Sequence, residues 1–528
     1  MTKQELQNCI LILEGEKKDL TNQVEDLRRQ VENLTEMLRL MQHQRFGSSS
    51  EKTPKEELED QMHMEQFFNE AEDSLDPSEA EPAKLTREGK LRMKTAGKKG
   101  RKEILLKDIP EEEVLHEVTG NALICPQCGD ELKPIGKRFV RDEVQFIPAK
   151  IKIIHHYQMT YECPKCKHTD KPFMAVAKMP KALLNHSLAS PSTLAEIMHQ
   201  KYENGVPLNR QEAEWEDLGL KLSRSVMANW INKCAEDYFF PLIDALHSEM
   251  LKRDILHCDE TTVQVLKEKD KTPQSTSYMW AYRTGNDDKA PIVIYEYQPS
   301  RSGIHAEAFL GDFKGYLHTD GYSGYNRITS VTRCGCFAHL RRKFVEAIPP
   351  GASKGDAKSY AEKGRDYINT LFEIERELKD LSAADRFSAR LKLEKPILDE
   401  FWVWLDSFSP SKGSKLDKAV SYALNQKQYL EGYLKDGRCS ISNNAAENVI
   451  RPFVIGRKNW LFADTVNGAK ASAAVYSLIQ TAKENGLNPR KYLQLLLTAI
   501  PSIEISKLEE TIPMFFPWTE EMQRLCKD

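Results

Sequence analysis

The stretch Leu256-His257-Cys258-Asp259-Glu260-Thr261 places an acidic residue inside a segment, residues 254–265, in which apolar and polar residues alternate. This alternation predicts a half-buried β-strand. The stretch LHTDGY at residues 317–322 repeats the arrangement, with Asp320 directly after a short strand predicted over 315–319. Each of the two acids therefore lies in or beside a predicted strand.

Two more strands, over 277–284 and 291–297, and a short helix over 304–310 are predicted between these acids. Three strands, a helix and a fourth strand follow the order of a ribonuclease H-like α/β fold. In that order the strands of Asp259 and Asp320 are neighbours, so the two carboxylates can share a metal ion. Glu260 is expected on the opposite face of its strand, as a solvated side chain.

A third acid follows far downstream, in SNNAAENVIRP at residues 442–452. The pattern predicts a helix capped by Ser442 or an Asn, with Glu447 facing inward one turn later. The stretch GRKNWLF at 456–462 follows and predicts a basic loop with an aromatic anchor. Residues 451–491 contain seven basic residues against two acidic ones, in a chain of net charge −4. This local excess favours DNA binding near Glu447.

The whole chain has 528 residues, which predicts several domains. Charged residues make up 29% and hydrophobic ones 40%, which excludes a wholly disordered chain and a multi-span membrane protein. Neither a membrane-length apolar run nor a signal-peptide pattern is present. We therefore expect a soluble cytoplasmic protein of a multidomain α+β class.

The N-terminal segment carries a heptad pattern over residues 6–41, with leucines on one seam. This predicts a leucine-zipper coiled coil over 1–46 that forms a parallel homodimer or a higher assembly. A single amphipathic helix packed on its own domain is the alternative. Residues 47–103 are first acidic and then basic, and they predict a flexible charged linker.

Two C-x2-C pairs stand out among the 11 cysteines. Two thiolate pairs supply the four tetrahedral ligands of one structural Zn2+ ion. The gap of 34 residues between the pairs is longer than in the commonest zinc pattern, and alternating segments at 138–146 and 150–161 predict strands that fill it. We expect a zinc-ribbon-like domain over 104–180, with four unrelated buried thiols as the alternative. The predicted ligands are Cys125, Cys128, Cys163 and Cys166.

Helices dominate residues 181–250, where segments at 209–218 and 223–234 flank a break at Gly219. This pair predicts a helix-turn-helix-like DNA-binding region, although an ordinary helix bundle has the same pattern. The core is predicted over 251–348 and again over 441–500. A helical insertion over 349–440 separates its two parts, with helices at 355–381 and 384–408, the second interrupted near Pro396. Residues 501–528 form a C-terminal tail.

Taken together, five motifs resemble the transposases of the insertion sequence 66 family. They are HCDET (257–261), HTDGYSGY (318–325), GCFAHLRRKF (335–344), NNAAEN-IRP (443–452) and GRKNWLF (456–462). The likeness covers nearly the whole chain and includes RFGSSSEK (45–52) and PLNRQE (207–212). One departure is Asn448, which stands where the family has Arg directly after the third acid.

The resemblance implies a DDE transposase in which Asp259, Asp320 and Glu447 hold two Mg2+ (or Mn2+) ions. Carboxylates suit such hard ions, and two ions can activate water and stabilise the leaving oxygen. Water would cut at the transposon end, and the freed 3′ hydroxyl would attack target DNA. The implied partners are terminal-repeat DNA, target DNA and companion proteins of the same element. A non-catalytic DNA-binding repressor derived from a transposase is the alternative.

Five further residues are candidate phosphate or DNA contacts: His339, Arg342, Arg451, Arg457 and Lys458. Cys336 and His339 resemble the C-x2-H segment that follows the second acid in several DDE families, where the His lies near the scissile phosphate. A buried structural His is an equal alternative for His339. For the neighbouring arginines the alternative is a salt bridge.

Overall fold

The computed structural model describes Lys17, residues 150–162, 174–176, 181–349 and 358–527. The chain divides into two compact units, residues 1–47 with 151–528 and residues 48–150. Nearly everything described belongs to the first unit. The predicted coiled coil (apart from Lys17), the linker and all four zinc cysteines lie outside the described residues.

A small hairpin precedes the main body of this unit. Strand β1 (Thr160–Glu162) pairs antiparallel with β2 (Met174–Val176). The strand predicted over 150–161 begins only at Thr160, and residues 150–159 have no regular structure. Among the residues that the structure describes, no strand pairs with residues 150–159, so the alternation by itself did not specify a strand there.

Four helices follow. They are α1 (Pro191–Tyr202), α2 (Leu208–Asp217), α3 (Arg224–Cys234) and α4 (Phe240–Met250), with a π-helical turn at Ala235–Phe239. Ser190 caps α1 by accepting from the Thr193 amide at 3.2 Å. Between α2 and α3, Gly219 adopts φ +91°, a backbone conformation that only glycine takes without strain. The sequence therefore gives both helices of this pair to within about one residue.

A mixed sheet forms the centre of the unit. Its strands are β3 (Ile255–Lys267), β4 (Thr276–Thr284), β5 (Val293–Gln298), β6 (Tyr316–His318), β7 (Thr332–Cys334) and β8 (Phe462–Thr465). The order is β5-β4-β3-β6-β7, and β8 also pairs with β3. Strands β3, β4 and β5 are antiparallel, whereas β6 and β8 run parallel to β3. The prediction that the strands of Asp259 and Asp320 are neighbours is confirmed, because β3 pairs directly with β6.

Helices cover and extend this sheet. Helix α5 (Gly303–Leu310) joins β5 to β6, and α6 (Phe337–Glu346) follows β7. Beyond α6 come α7 (Tyr360–Glu377), α8 (Ala383–Asp406) and α9 (Lys415–Leu430), which build a second hydrophobic core with α6. The predicted break at Pro396 is wrong, since α8 runs through it. Burial of Leu398, Phe401 and Trp402 just beyond the proline offsets the lost hydrogen bond.

The remaining helices are α10 (Asn444–Trp460), α11 (Val466–Glu484), α12 (Pro489–Ala499), α13 (Ile505–Thr511) and α14 (Glu520–Cys526). The loop predicted at 456–462 is wrong, because residues 456–460 form the last turns of α10 and Phe462 begins β8. Leu461, at φ +66°, ends the helix between them. Across the described ranges, the helices are too short or too polar to cross a bilayer.

Helix α11 closes the free edge of the sheet at β5. Its Thr481 hydroxyl donates to the Val293 carbonyl at 2.8 Å and accepts from the Val293 amide at 3.0 Å. The Ser477 hydroxyl accepts from the Tyr295 amide at 2.7 Å. These hydroxyls satisfy backbone groups that a neighbouring strand would otherwise bond, so the edge strand is not open to pairing with another chain.

Candidate functional site

The first two acids are set side by side by strand register. In the parallel pair β3–β6, His257 lies opposite His318. Asp259 and Asp320 each follow one of these histidines by two residues, and side chains two residues apart along extended chain share a face. The histidine rings stack at 4.3 Å between centroids. The two carboxyl groups are therefore brought to the same side of neighbouring segments.

Local hydrogen bonds orient both carboxylates. The Glu260 amide donates to Asp259 Oδ1 at 2.9 Å, and the Tyr322 amide donates to Asp320 Oδ1 at 2.9 Å. Both acids are half-buried. Each of them keeps at least one oxygen whose position is fixed by backbone, which suits a metal ligand.

Glu447 reaches the same place from α10, and Asn443 ties the start of that helix to β3. The Asn443 side-chain amide donates to the Cys258 carbonyl at 2.9 Å, and its Oδ1 lies 3.0 Å from His257 Nδ1. Because burial lowers the pKa of His257 to about 4, the ring is neutral and its Nδ1–H donates to Asn443. Asn443 is the N-cap residue of α10 but makes no side-chain capping bond. Its side chain instead joins α10 to the strand beside Asp259.

The acids form a cluster of like charge. Burial raises the pKa of Asp259 well above its ordinary value, and the carboxylates of Glu260, Asp320 and Glu447 raise it further. Because charges act on a buried carboxyl mainly over short distances, β3, the segment after β6 and the start of α10 meet at Asp259. A group of carboxylates that resists full ionisation is the donor set a divalent cation would stabilise.

Glu260 is a fourth acid of this region, and the expectation of a solvated side chain is wrong. Its side chain is 1% exposed, and its Oε1 accepts from Arg301 Nε at 2.7 Å. Its other oxygen accepts from the Tyr325 hydroxyl. Burial, followed by the Asp320 charge, raises its pKa to about 7. The sequence carried no signal of this, because Arg301 and Tyr325 come from segments after β5 and β6.

Helix α6 flanks Glu447 with basic groups. His339 Nδ1 lies 3.4 Å from Glu447 Oε1, and Arg342 Nη2 lies 3.9 Å from Oε2. The Cys336 thiol lies 4.0 Å from the same Oε1. Cys336, His339 and Glu447 offer ligand atoms within 4.8 Å of one another, so they could also hold a metal ion. Of the five candidate phosphate contacts, His339 and Arg342 therefore lie at the acid cluster.

The other three candidates lie along α10. Arg451 is half-buried and one turn after Glu447, which puts it on the same helix face. Arg457 donates to the backbone carbonyl and the hydroxyl of Thr262, so it holds α10 against β3. Lys458 is exposed. Of these two adjacent residues, Arg457 therefore faces the sheet and Lys458 faces solvent.

The predicted helix-turn-helix presents a polar surface. Arg224, Asn229 and Lys233 are exposed on α3, while Trp230 is half-buried. The four cysteines predicted to bind zinc lie outside the described residues.

Comparisons with protein families match most of the chain. A model described as the transposase IS66 family covers residues 186–471, more than half of the chain. The zinc-finger binding domain of transposase IS66 matches residues 123–167, and the IS66 C-terminal element matches 477–514. A model described as the transposase C of IS166 homeodomain matches 33–114, which includes the whole segment, 47–103, whose composition predicts a linker.

Curated relatives come from Sinorhizobium fredii (strain NBRC 101917 / NGR234). The chain is 29% identical to the uncharacterized protein y4qI over 501 residues, 90% of this chain and 88% of the relative. It is 29% identical to the uncharacterized protein y4hP over 429 residues, 77% of this chain and 75% of the relative. The names of these relatives state no activity.

Proposed function

The chain belongs to the IS66 transposase family, and from that premise we propose that it is a DDE-type DNA transposase. It binds the ends of its insertion element, cleaves phosphodiester bonds with two divalent metal ions and joins the 3′ hydroxyl ends to target DNA. The observation that carries the proposal is the convergence of Asp259, Asp320 and Glu447. They come from β3, the segment after β6 and α10, and Asp320 and Glu447 both raise the pKa of Asp259.

A ribonuclease H-like catalytic core is part of the proposal. The antiparallel strands β3, β4 and β5, followed by α5 and the parallel strands β6 and β7, support it. In this arrangement the first acid lies on the central strand and the second at the end of its parallel neighbour. The third acid enters on a helix after the insertion.

Asp259, Asp320 and Glu447 would hold the Mg2+ (or Mn2+) ions. The fit rests on donor chemistry: carboxylate oxygens are the ligands hard cations prefer, and these carboxylates repel one another when the cation charge is missing. When bound, such ions lower the pKa of water and stabilise charge on a leaving oxygen.

The protein's own groups then position the reacting phosphate. The Glu260 and Tyr322 amides fix the two aspartates, and Asn443 fixes the helix of Glu447. His339 and Arg342 lie beside Glu447 and contact the scissile phosphate from α6, since both are polar donors with part of their surface exposed. Lys458 contacts the DNA backbone further along.

The remaining regions deliver DNA to this site. The N-terminal coiled coil makes the homodimer that pairs two element ends. Cys125, Cys128, Cys163 and Cys166 hold one structural Zn2+ ion in a domain that recognises those ends together with α2 and α3. The exposed Arg224, Asn229 and Lys233 support base or phosphate contact by α3.

The test is a cleavage and strand-transfer assay with purified full-length protein, Mg2+ and labelled DNA that carries the element's own terminal repeats. Asp259→Asn should abolish nicking and joining. Asp312→Asn, which changes an exposed acid elsewhere, is the matched control and should act like wild type. Undiminished cutting by Asp259→Asn would refute the assignment. Specific binding without any cutting by wild type would favour the repressor.

A further inference from the structure

Three buried soft ligands meet beside the acid cluster. His318 ends β6, Cys334 ends β7, and Cys439 lies in the segment that leads to α10. Their exposed fractions are 0%, 0% and 1%. One ring nitrogen of His318 and the two sulfurs all lie within 4.8 Å of one another. Two cysteines and a histidine from three separate segments form a compact donor set.

His318 lacks the partners a buried imidazole needs. Among the residues that the structure describes, neither of its ring nitrogens makes a hydrogen bond. Buried polar atoms are nearly always paired, so two unpaired nitrogens on one buried ring need an explanation, and the two adjacent thiols supply the other donors of a metal site. The stacked His257 ring cannot fill this role, because stacking leaves the ring nitrogens of His318 without a donor or acceptor.

From this geometry we infer that His318, Cys334 and Cys439 bind one zinc ion. Thiolate and imidazole are the ligands zinc prefers, and three protein ligands leave one position of the tetrahedron for water. Binding releases two thiol protons to solvent, so that Zn2+ and two thiolates sum to zero charge in the interior. The nearby Arg390, which donates to the Cys439 carbonyl at 2.9 Å, is already balanced by Glu375.

The inferred ion would position the acid site without touching substrate. His318 lies two residues before Asp320, and Cys334 lies two residues before Cys336, whose thiol contacts Glu447. Cys439 leads to Asn443, which anchors α10. The ion would therefore link the three segments that arrange the second and third acids. It is separate from the four-cysteine zinc site, whose ligands come from residues 125–166.

Metal counting on the full-length protein tests the inference. Cells are grown with added zinc, and the zinc content per chain is measured by plasma mass spectrometry after dialysis. Cys439→Ser and Cys334→Ser should each contain one equivalent less than wild type. Cys526→Ser, which alters a buried cysteine of α14, is the matched control and should equal wild type. Equal zinc in Cys439→Ser and wild type would overturn the inference.

A second measurement decides even where Cys439→Ser does not fold. Full-length Cys125→Ser/Cys128→Ser keeps the buried cluster intact, and X-ray absorption at the zinc edge should show two sulfur ligands and an imidazole nitrogen. Absence of zinc in that variant would contradict the site. So would a disulfide between Cys334 and Cys439 in a non-reduced peptide map of wild type. Because these readouts do not involve DNA, they are independent of transposase activity.

Discussion

Two buried groups of charges in this molecule are built in opposite ways. In the helical region, Arg390 donates from Nε and Nη2 to Glu375 at 2.6 and 2.7 Å. Its remaining donors bond the carbonyls of Tyr433, Asp436 and Cys439 at 2.9 to 3.1 Å. In the acid cluster, Asp259 instead faces three other carboxylates. The Arg390 guanidinium is therefore fully hydrogen-bonded, whereas the carboxylates around Asp259 repel one another.

This difference is the one expected between a structural network and the proposed catalytic site. A buried guanidinium with all its donors satisfied holds helices α7 and α8 to the segment before α10. A group of buried and half-buried acids costs stability, and such a group is expected where a bound cation relieves the repulsion between the carboxylates. Removing a charge from the Arg390 network should therefore lower the stability of the fold, whereas removing one from the acid cluster should lower catalytic activity.

The largest expected effect is on catalysis. Glu447→Gln should slow DNA cleavage by at least about 1,000-fold, equivalent to about 4 kcal/mol of activation free energy, because one of the proposed metal ligands is lost. The melting temperature of this variant without divalent ions should stay close to that of wild type, because the lost repulsion from Asp259 and the lost attraction to Arg342 oppose each other. Cleavage kinetics and thermal unfolding measure the two effects. A Glu447→Gln protein that is much less stable than wild type but still cleaves DNA would show that Glu447 serves the fold and not catalysis.

Arg390→Met should instead destabilise the fold by about 3–5 kcal/mol, because the half-buried Glu375 loses its partner and the carbonyls of Tyr433 and Cys439 lose their donor. Urea unfolding followed by tryptophan fluorescence measures this loss. Arg376→Met, an exposed arginine of α7, is the control and should change stability by less than about 0.5 kcal/mol. Equal effects of the two substitutions would show that the Arg390 network contributes little.

The pH dependence of stability should contain a contribution from Glu394. Burial, followed by the Glu375 charge, raises its pKa to about 8 from an ordinary value of 4.5. A carboxyl whose pKa is higher in the folded state stabilises the fold when protonated, so stability should fall as pH rises from about 4.5 through 8. Glu394→Gln should remove a change on the order of 2–4 kcal/mol from that interval.

Denaturant unfolding at pH 5 and pH 8.5 tests this sign. Wild type should lose more stability between the two values than Glu394→Gln does. The Tyr433 hydroxyl, 2.5 Å from Glu394 Oε2, can bond the amide oxygen of the variant as well. Parallel pH profiles of wild type and variant would exclude a titrating Glu394.

The smallest effect concerns two adjacent basic residues of α10. Lys458→Ala should leave stability unchanged and lower DNA affinity modestly, with the salt dependence of binding reduced by about one phosphate contact. Arg457→Ala should destabilise the protein by about 1 kcal/mol, because it removes bonds to Thr262 of β3. Fluorescence anisotropy at several salt concentrations and thermal melts distinguish the two. Similar salt slopes for Lys458→Ala and wild type would argue against the phosphate contact.

Much of the central sheet could be predicted from the sequence, because β3, β4 and β5 are long enough to show alternation. Strands β7 and β8 were missed, because three or four residues carry little periodicity, although the equally short β6 lies inside the strand predicted over 315–319. The prediction that the strands of Asp259 and Asp320 are neighbours came from the likeness of the strand and helix order to a ribonuclease H-like fold.

What the sequence missed depends on contacts between distant segments. The burial of Glu260 requires Arg301 and Tyr325, and the continuity of α8 through Pro396 requires the second core. The inward turn of Arg457 likewise needs Thr262. The catalytic roles of the three acids and the four zinc cysteines remain predictions.

The Asn443 bridge has a consequence for synthesis of the chain. It joins residues separated by 186 positions, so α10 cannot meet β3 until the intervening helices have been made. A ribosome-bound or truncated product that stops before α10 contains two acids but lacks the third. If the three acids carry out cleavage as proposed, such a fragment cannot cut DNA during translation, and activity becomes possible only once α10 has been made.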